Sequence, residues 1–367
     1  MPIKALLFTP TFFPSLTGNA VTVARISAGL AREGVESRIV DISRSDLKEV
    51  EKITDRFQPH LLHAFHALKT GPLALKLAQE RSLPLITSMT GTDIHVDLAC
   101  PERLADIRAV ISGSGAVTVF NEAAREMIGL AGLFPREVGI IHQSVRMPPQ
   151  VRSDIRRDLD LQACAKVFLF LGALRKIKGL SLALEVMDKL ARRESVFLIV
   201  AGEIHEEGEF LNLKQHQETK KWLRYAGAVP REKIASLFQA ADVFLSTSLA
   251  ESESNALLEA MYYSKCIIAR DIPGNSSQIT RREGFLFQSA EDLYEAALLV
   301  VREPALIAAK GALARKKYDR DFSFTKERRS YRDLYRRILE RQGENRPVGP
   351  GPGKGSETAL ISGRWGD

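Results

Sequence analysis

Apolar residues along this chain come in two alternating rhythms. Short continuous runs rich in β-branched residues predict strands, and longer stretches with apolar positions three and four residues apart predict helices. Strands are predicted over residues 3–9, 37–42, 61–65, 85–90, 116–120 and 138–145, with helical patterns between them. A second series covers residues 167–171, 196–202, 225–229, 243–248, 266–271 and 284–287, with helices predicted over 180–190, 231–240 and 254–263. Alternation of this kind predicts an α/β protein with doubly wound, Rossmann-like sheets of parallel strands joined by crossover helices. In such sheets ligands sit beyond the carboxyl ends of the strands.

Between the two series, Met147-Pro148-Pro149 is followed by a short charged helical pattern and a polar turn. Adjacent prolines forbid helix and stiffen the backbone, which marks a boundary. The organisation read from this is an amino-terminal domain over 1–148, a linker over 149–165 and a carboxyl-terminal domain over 166–342. Residues 291–342 are helical in pattern, and from 343 to 367 Gly, Pro and polar residues dominate, the composition of a disordered tail.

Composition narrows the class. The chain has 367 residues, 45% hydrophobic and 26% charged, the balance of a soluble globular protein long enough for two domains. The first ten residues hold too short an apolar run for a secretory signal, and no stretch approaches the roughly 20 apolar residues of a membrane span, so a cytoplasmic protein is expected. Cys100, Cys164 and Cys266 are far apart and lack a C-x-x-C partner, so neither a disulfide framework nor a zinc site is expected. Much of the net charge of +7 lies in residues 315–341. No nucleic-acid-binding module accompanies it, so nucleic acid is not an expected partner. Phosphorylated small molecules or an anionic lipid surface account for the charge equally well, which leaves peripheral membrane contact open.

Candidate chemistry collects at predicted strand ends. Strand 243–248 runs into a polar loop holding Glu251, and a helix starts near Ser254, a good N-cap residue. Its first backbone N–H groups, at Ser254, Asn255 and Ala256, lack intrahelical acceptors and attract anions, phosphate above all. Glu251 and Glu259 bracket this terminus with seven residues between them. Beside a phosphate site, carboxylates serve best as acceptors for sugar or ribose hydroxyls. Taken alone, the pair is equally well a solvated acidic loop and a helix-surface charge. After strand 167–171, the turn Gly172 to Gly179 carries Arg175, Lys176 and Lys178, three cations in four positions, which would clamp an anion.

The amino-terminal half offers two further loops. Gly18-Asn19 ends a Pro-rich connection after the first strand and lets the backbone approach a ligand before a helix that starts near Ala20 or Val21. It is not a G-x-G-x-x-G fingerprint, and the loop alone reads best as a plain connection. After the fourth strand, Thr90-Gly91-Thr92-Asp93-Ile94-His95 places small residues and a carboxylate for contact with a polar acceptor or sugar. Asp319-Arg320-Asp321 matches D-x-D formally, but it lies between basic helical segments and reads as a helix junction with paired surface charges.

Glu251-x7-Glu259 with Ala260-Met261, followed by a strand and Pro273-Gly274-Asn275, resembles the donor-site signature of the family 4 nucleotide-sugar glycosyltransferases. Residues 17–25, 90–97, Leu174-Arg175-x-x-Lys178 and 272–275 are similar to a subgroup that includes glycosyltransferase 1 domain-containing proteins and, more loosely, the selenosugar synthases. The resemblance implies the GT-B fold, two doubly wound domains facing a cleft. It also implies that Tyr331, Leu334, Tyr335, Ile338 and Leu339 return as one apolar face onto the first domain.

For the site, the resemblance implies a nucleotide diphosphate sugar as donor substrate, commonly a UDP-sugar, with retention of configuration and neither cofactor nor metal. Lys178 is implied as the diphosphate-contacting cation, with Arg175 beside it, displaced from the Gly-Arg-Leu of the common pattern. Glu251 takes the transferred sugar, Glu259 the ribose, and backbone around Val229 the nucleobase. Thr90, Gly91 and Asp93 stand on the acceptor side, where Thr90 occupies the place of a frequent His. Two other readings accompany this one: a selenosugar or thiosugar synthase, whose ionised acceptor needs no general base, and a non-catalytic sugar-nucleotide-binding protein. The acceptor itself is not identified by any motif.

Overall fold

The computed structural model describes residues 2–13, 18–147 and 153–344. It contains two six-stranded parallel sheets. The first comprises β1 (Ile3–Thr9), β2 (Val35–Asp41), β3 (Leu61–Phe65), β4 (Leu85–Ser88), β5 (Ala116–Val119) and β6 (Val138–Ile140), in the order β2-β1-β3-β4-β5-β6. The second comprises β7 (Lys166–Leu171), β8 (Val196–Ala201), β9 (Leu223–Tyr225), β10 (Val243–Ser246), β11 (Cys266–Arg270) and β12 (Phe285–Phe287), ordered β12-β11-β10-β7-β8-β9.

Parallel strands need both faces covered, and their sequences show it. Val167 to Phe170 and Val196 to Ala201 are buried throughout, and apolar clusters lie on each side of the second sheet. The strand order reverses between β7 and β10, so the loops after these two strands diverge and open a crevice. Those loops carry the basic turn and Glu251.

Several expected boundaries moved. The strand expected at 225–229 runs instead over Leu223–Tyr225, where Leu198 to Val200 of β8 supply its partners. The strand expected to reach residue 145 stops at Ile140, because edge strand β6 has pairing only along β5 and the chain then turns towards the second lobe. The helix Gly18–Arg32 starts two residues earlier than expected, and Gly18 is its first residue rather than part of a loop. The helix Glu207–Thr219 was not foreseen; its one buried residue, Leu213, leaves almost no apolar stripe to read.

The last helix, Phe324–Glu344, crosses back to the first lobe. Tyr331, Leu334, Tyr335 and Ile338 pack into one cluster with Leu7, Leu61 and Phe65, and Leu339 lies partly buried against it. Each such side chain contributes about 1.5–3 kcal/mol of burial. The helix continues two residues past the expected domain end; residues 345–367 of the expected tail, and Pro148 and Pro149 of the expected boundary, lie outside the described residues. Asp319 and Asp321 pair with Arg315, Lys317 and Arg320 at the end of the preceding helix, as the junction reading required. Among the described residues, no helix is long and apolar enough to cross a membrane.

Candidate active site

The turn after β7 is sewn to the loop after β10. Thr247 donates its hydroxyl to the carbonyls of Lys178 (3.0 Å) and Gly179 (2.9 Å), and the Leu249 N–H reaches the Ile177 carbonyl at 2.8 Å. Gly179 has φ +67°, and a Cβ there would stand 2.4 Å from the Thr247 carbonyl oxygen, so glycine is required on both counts. This stitching aims Lys178 at the loop: its Nζ lies 2.5 Å from Glu251 Oε1, which also accepts the Ser248 hydroxyl at 2.8 Å.

The three cations of the turn do not converge. Arg175 is half-exposed with Nε 3.9 Å from Glu206 Oε1, and Lys176 gives its backbone N–H to Glu206 Oε2 at 2.9 Å. Of the expected clamp, Lys178 alone meets Glu251.

Ser254 caps the helix Asn255–Tyr262, its hydroxyl accepting the Leu257 N–H at 3.3 Å. The Ser254 N–H, expected to face an anion, is instead donated to Gln278 Oε1 at 3.0 Å, and Gln278 Nε2 returns to the Ser254 carbonyl at 3.1 Å. That glutamine amide consumes the group, leaving Asn255 and Ala256 as the first-turn N–H groups without intrahelical acceptors. Glu259 sits on the same helix, 4% exposed, with Arg231 Nη2 at 3.3 Å from Oε1. Burial pushes its carboxyl pKa up, against the opposing pull of Arg231 and Arg25. Val229, partly buried against the core, leads through Pro230 into the turn that carries Arg231.

The first lobe closes on this loop from several directions. Arg25, on Gly18–Arg32, makes a buried pair with Glu327 of the crossing helix, gives Nη2 to Gln143 Oε1 at 3.2 Å, and holds Nη1 3.5 Å from Asn255 Oδ1. Glu253 is buried; its carboxylate takes the Gln143 N–H at 2.7 Å and lies 2.6 Å from His142 Nδ1. Asn121 Nδ2 donates to the Ser252 carbonyl at 2.5 Å. His95 Nε2 lies 3.1 Å from Ser252 Oγ. A cavity of about 270 Å³ remains between the lobes, lined by Phe13, Arg25, Met147, Arg231 and Asn255 among others.

The acceptor-side turn corrects one expectation. Asp93 is fully buried, and its carboxylate accepts the N–H groups of Ala67 (3.0 Å), Thr90 (2.9 Å) and Gly91 (2.8 Å). It shapes the turn and does not face the cleft. Thr90 and Gly91 are partly buried, and a Cβ on Gly91 would lie 3.5 Å from Ser252 Oγ, so the turn itself reaches the donor loop. Gly18 is exposed and Asn19 partly buried at the start of their helix, and among the described residues no atom would lie within 4 Å of a Cβ on Gly18, so the backbone there is open to a ligand.

Sequence reasoning passed over His66, Arg25, Gln278 and Glu253. His66, buried with φ +96°, lies at the end of β3. Its Nδ1 accepts the Lys69 N–H at 3.2 Å, which places the proton of the neutral ring on Nε2, donated to Thr92 Oγ1 at 2.8 Å. Burial lowers its pKa, so the neutral form is the stable one. Glu253 left no local signal: it stands in an irregular acidic loop beside Glu251, and its partners His142 and Gln143 lie 111 and 110 residues away.

Residues 151–317 match the family described as "Glycosyl transferases group 1". The chain carries a group 1 glycosyl transferase domain over these residues. As such it is an enzyme of the glycosyltransferase class, and the matched span contains Lys178, Glu251, Ser254 and Glu259.

Relatives of this glycosyltransferase extend over most of its length. "Glycosyltransferase 1 domain-containing protein 1" of Xenopus tropicalis is 23% identical over 331 residues, 87% of this chain and 94% of that protein. A "D-inositol 3-phosphate glycosyltransferase" of Pseudarthrobacter chlorophenolicus is 24% identical over 319 residues, 80% of this chain and 75% of the relative. Among solved structures, sucrose-phosphate synthase from Thermosynechococcus elongatus superposes with a TM-score of 0.79 at 16% identity, over 92% of this chain and 100% of the other. Anabaena HepE, solved in complex with UDP and glucose, gives a TM-score of 0.73 at 16% identity, covering 91% and 100%. The fold shared with these structures is the GT-B arrangement of two Rossmann-like lobes.

Proposed function

We propose that this glycosyltransferase moves a sugar, with retention and without a metal, from a nucleotide diphosphate sugar to an acceptor held by the first lobe. One observation carries the reading: Lys178 Nζ, Glu251 and the amino end of the Asn255–Tyr262 helix are gathered at the strand-order reversal of the second sheet.

When the glycosidic bond breaks, negative charge grows on the leaving diphosphate. Lys178 and the N–H groups of Asn255 and Ala256 are placed to stabilise it, and preorganised donors of this kind are each worth about a hundred- to a thousandfold in rate. The protein thereby supplies the charge stabilisation that a divalent cation would otherwise provide. Glu259, held by Arg231, accepts the ribose hydroxyls, and Glu251 accepts hydroxyls of the transferred sugar. Arg175, drawn to Glu206, contributes less. No carboxylate is assigned as a nucleophile on the sugar's far face, so the leaving phosphate itself takes the acceptor proton on the side it departs from. A glycosyl-enzyme trapped with a slow donor would overturn that route.

A uridine base is supported by the UDP complex of the HepE structure. The test is calorimetric titration of metal-free protein with UDP, GDP and ADP, repeated with Lys178→Ala and Glu259→Ala. Binding of one nucleotide near micromolar strength, about −8 kcal/mol, weakened in both variants while the fold is retained, is the expected result. Absence of binding to all three would remove the donor assignment.

A further inference from the structure

Glu251 is immobilised from four sides, and one of them belongs to the other lobe. Lys178 and Ser248 hold its carboxylate. Its carbonyl oxygen packs on Gly274, where a Cβ would stand 2.1 Å away. The fourth contact comes through the next residue: His95 Nε2 lies 3.1 Å from the Ser252 hydroxyl. His95 ends the short helix Thr92–His95, and the Asp93 carboxylate staples the start of that helix through three backbone N–H groups. The imidazole is therefore delivered across the cleft by a rigid turn rather than by a free side chain.

We propose that His95 is a positioning residue that sets the Glu251–Ser252 backbone, and through it the Glu251 carboxylate, against the transferred sugar. The inference rests on the donor reading given above and deepens it: the acceptor-side turn and the sugar-binding carboxylate form one unit across the cleft. His95 thus makes engagement of the sugar depend on closure of the lobes, whereas the nucleotide contacts at Lys178 and Glu259 lie wholly in the second lobe. Loss of the imidazole should consequently be felt by the sugar and not by the nucleotide.

Calorimetry with UDP, UDP-glucose, UDP-galactose and UDP-N-acetylglucosamine tests this on the full chain as wild type, His95→Ala, His95→Gln, Ser252→Ala and the His95→Ala/Ser252→Ala double variant. Circular dichroism establishes that each is folded. The wild type is expected to bind at least one UDP-sugar more tightly than UDP. His95→Ala should remove about tenfold of that preference, the scale of one lost hydrogen-bonded contact, while UDP affinity changes by less than about twofold. His95→Gln should restore part of it, and the double variant should be no worse than the His95 single, since the two groups share one interaction. The proposal is overturned if His95→Ala keeps the sugar preference, if it weakens UDP and UDP-sugars by the same factor, or if the wild type shows no sugar preference. Failure of UDP itself to bind overturns the underlying donor assignment first, and this inference with it.

Discussion

Arg25 and Glu327, 302 residues apart, form a two-point ion pair in which Nε and Nη2 each lie 2.9 Å from a Glu327 carboxylate oxygen. Both side chains are at most 4% exposed, and the pair ties the first helix to the crossing helix directly beside Asn255 of the candidate site. Breaking such a pair leaves one charge buried without a partner. Glu327→Ala is therefore expected to destabilise the protein by about 3–5 kcal/mol, and the Arg25→Met/Glu327→Leu double change by much less. Urea unfolding of the three proteins measures both values.

Lys178 and Arg175 differ in environment although they are three residues apart. Lys178→Ala should lower turnover about a hundred- to a thousandfold, because it removes the cation that Glu251 orients. Arg175→Ala, which removes a half-exposed side chain paired at 3.9 Å with Glu206, should cost less than about tenfold. Steady-state rates of sugar release from the nucleotide sugar bound best by calorimetry compare the two.

Gly274→Ala would place a methyl 2.1 Å from the Glu251 carbonyl oxygen, and the next residue, Ser252, is met from the other lobe by His95. The loop must shift. An overpacking cost of about 1–3 kcal/mol is expected, with sugar-dependent binding lost before UDP binding. Thermal unfolding and calorimetry on the same preparation separate the effects.

His63 sits fully buried on β3, its Nδ1 2.7 Å from the Tyr335 hydroxyl and its Nε2 2.8 Å from Ser88 Oγ. Burial lowers its pKa from 6.5 to about 3. A base whose folded pKa is depressed binds fewer protons when folded, so its contribution is complete above pH 6.5 and is lost as the pH falls towards 3. Each pH unit in that window costs about 1.4 kcal/mol. His63→Gln should flatten this acid limb in urea unfolding measured between pH 7 and pH 4, whatever its effect at neutral pH.

Much of this protein was legible without coordinates because its signals are local. Continuous apolar runs such as 167–171 and 196–201, of strand length and bounded by turn residues, read as parallel strands covered on both faces, and Ser254 before Asn255 to Tyr262 is a capping pattern complete within a few residues. Glu251, Glu259 and Lys178 could be picked out since a strand-loop-helix unit places them at the carboxyl end of a sheet whatever surrounds it. The aromatic stripe of Tyr331 and Tyr335 announced a buried face.

Tertiary structure alone decided which of these groups meet. Lys178 reaches Glu251 and Arg175 does not, because the Thr247 bonds orient one side of the turn and Glu206 draws away the other. Asp93 looked like a ligand-facing carboxylate and is spent on three backbone N–H groups, while the Ser254 N–H is taken by Gln278. Glu253, Arg25 and Glu327 had no reading of their own in the sequence, and His95 read best as an ordinary histidine at a loop or helix start, since their partners lie 111, 302 and 157 residues away. Hydrogen bonds and ion pairs are short-ranged, and local periodicity carries no record of which distant group will fill the last few ångströms; the elements were written in the sequence, and the site's wiring was set by how the two lobes came together.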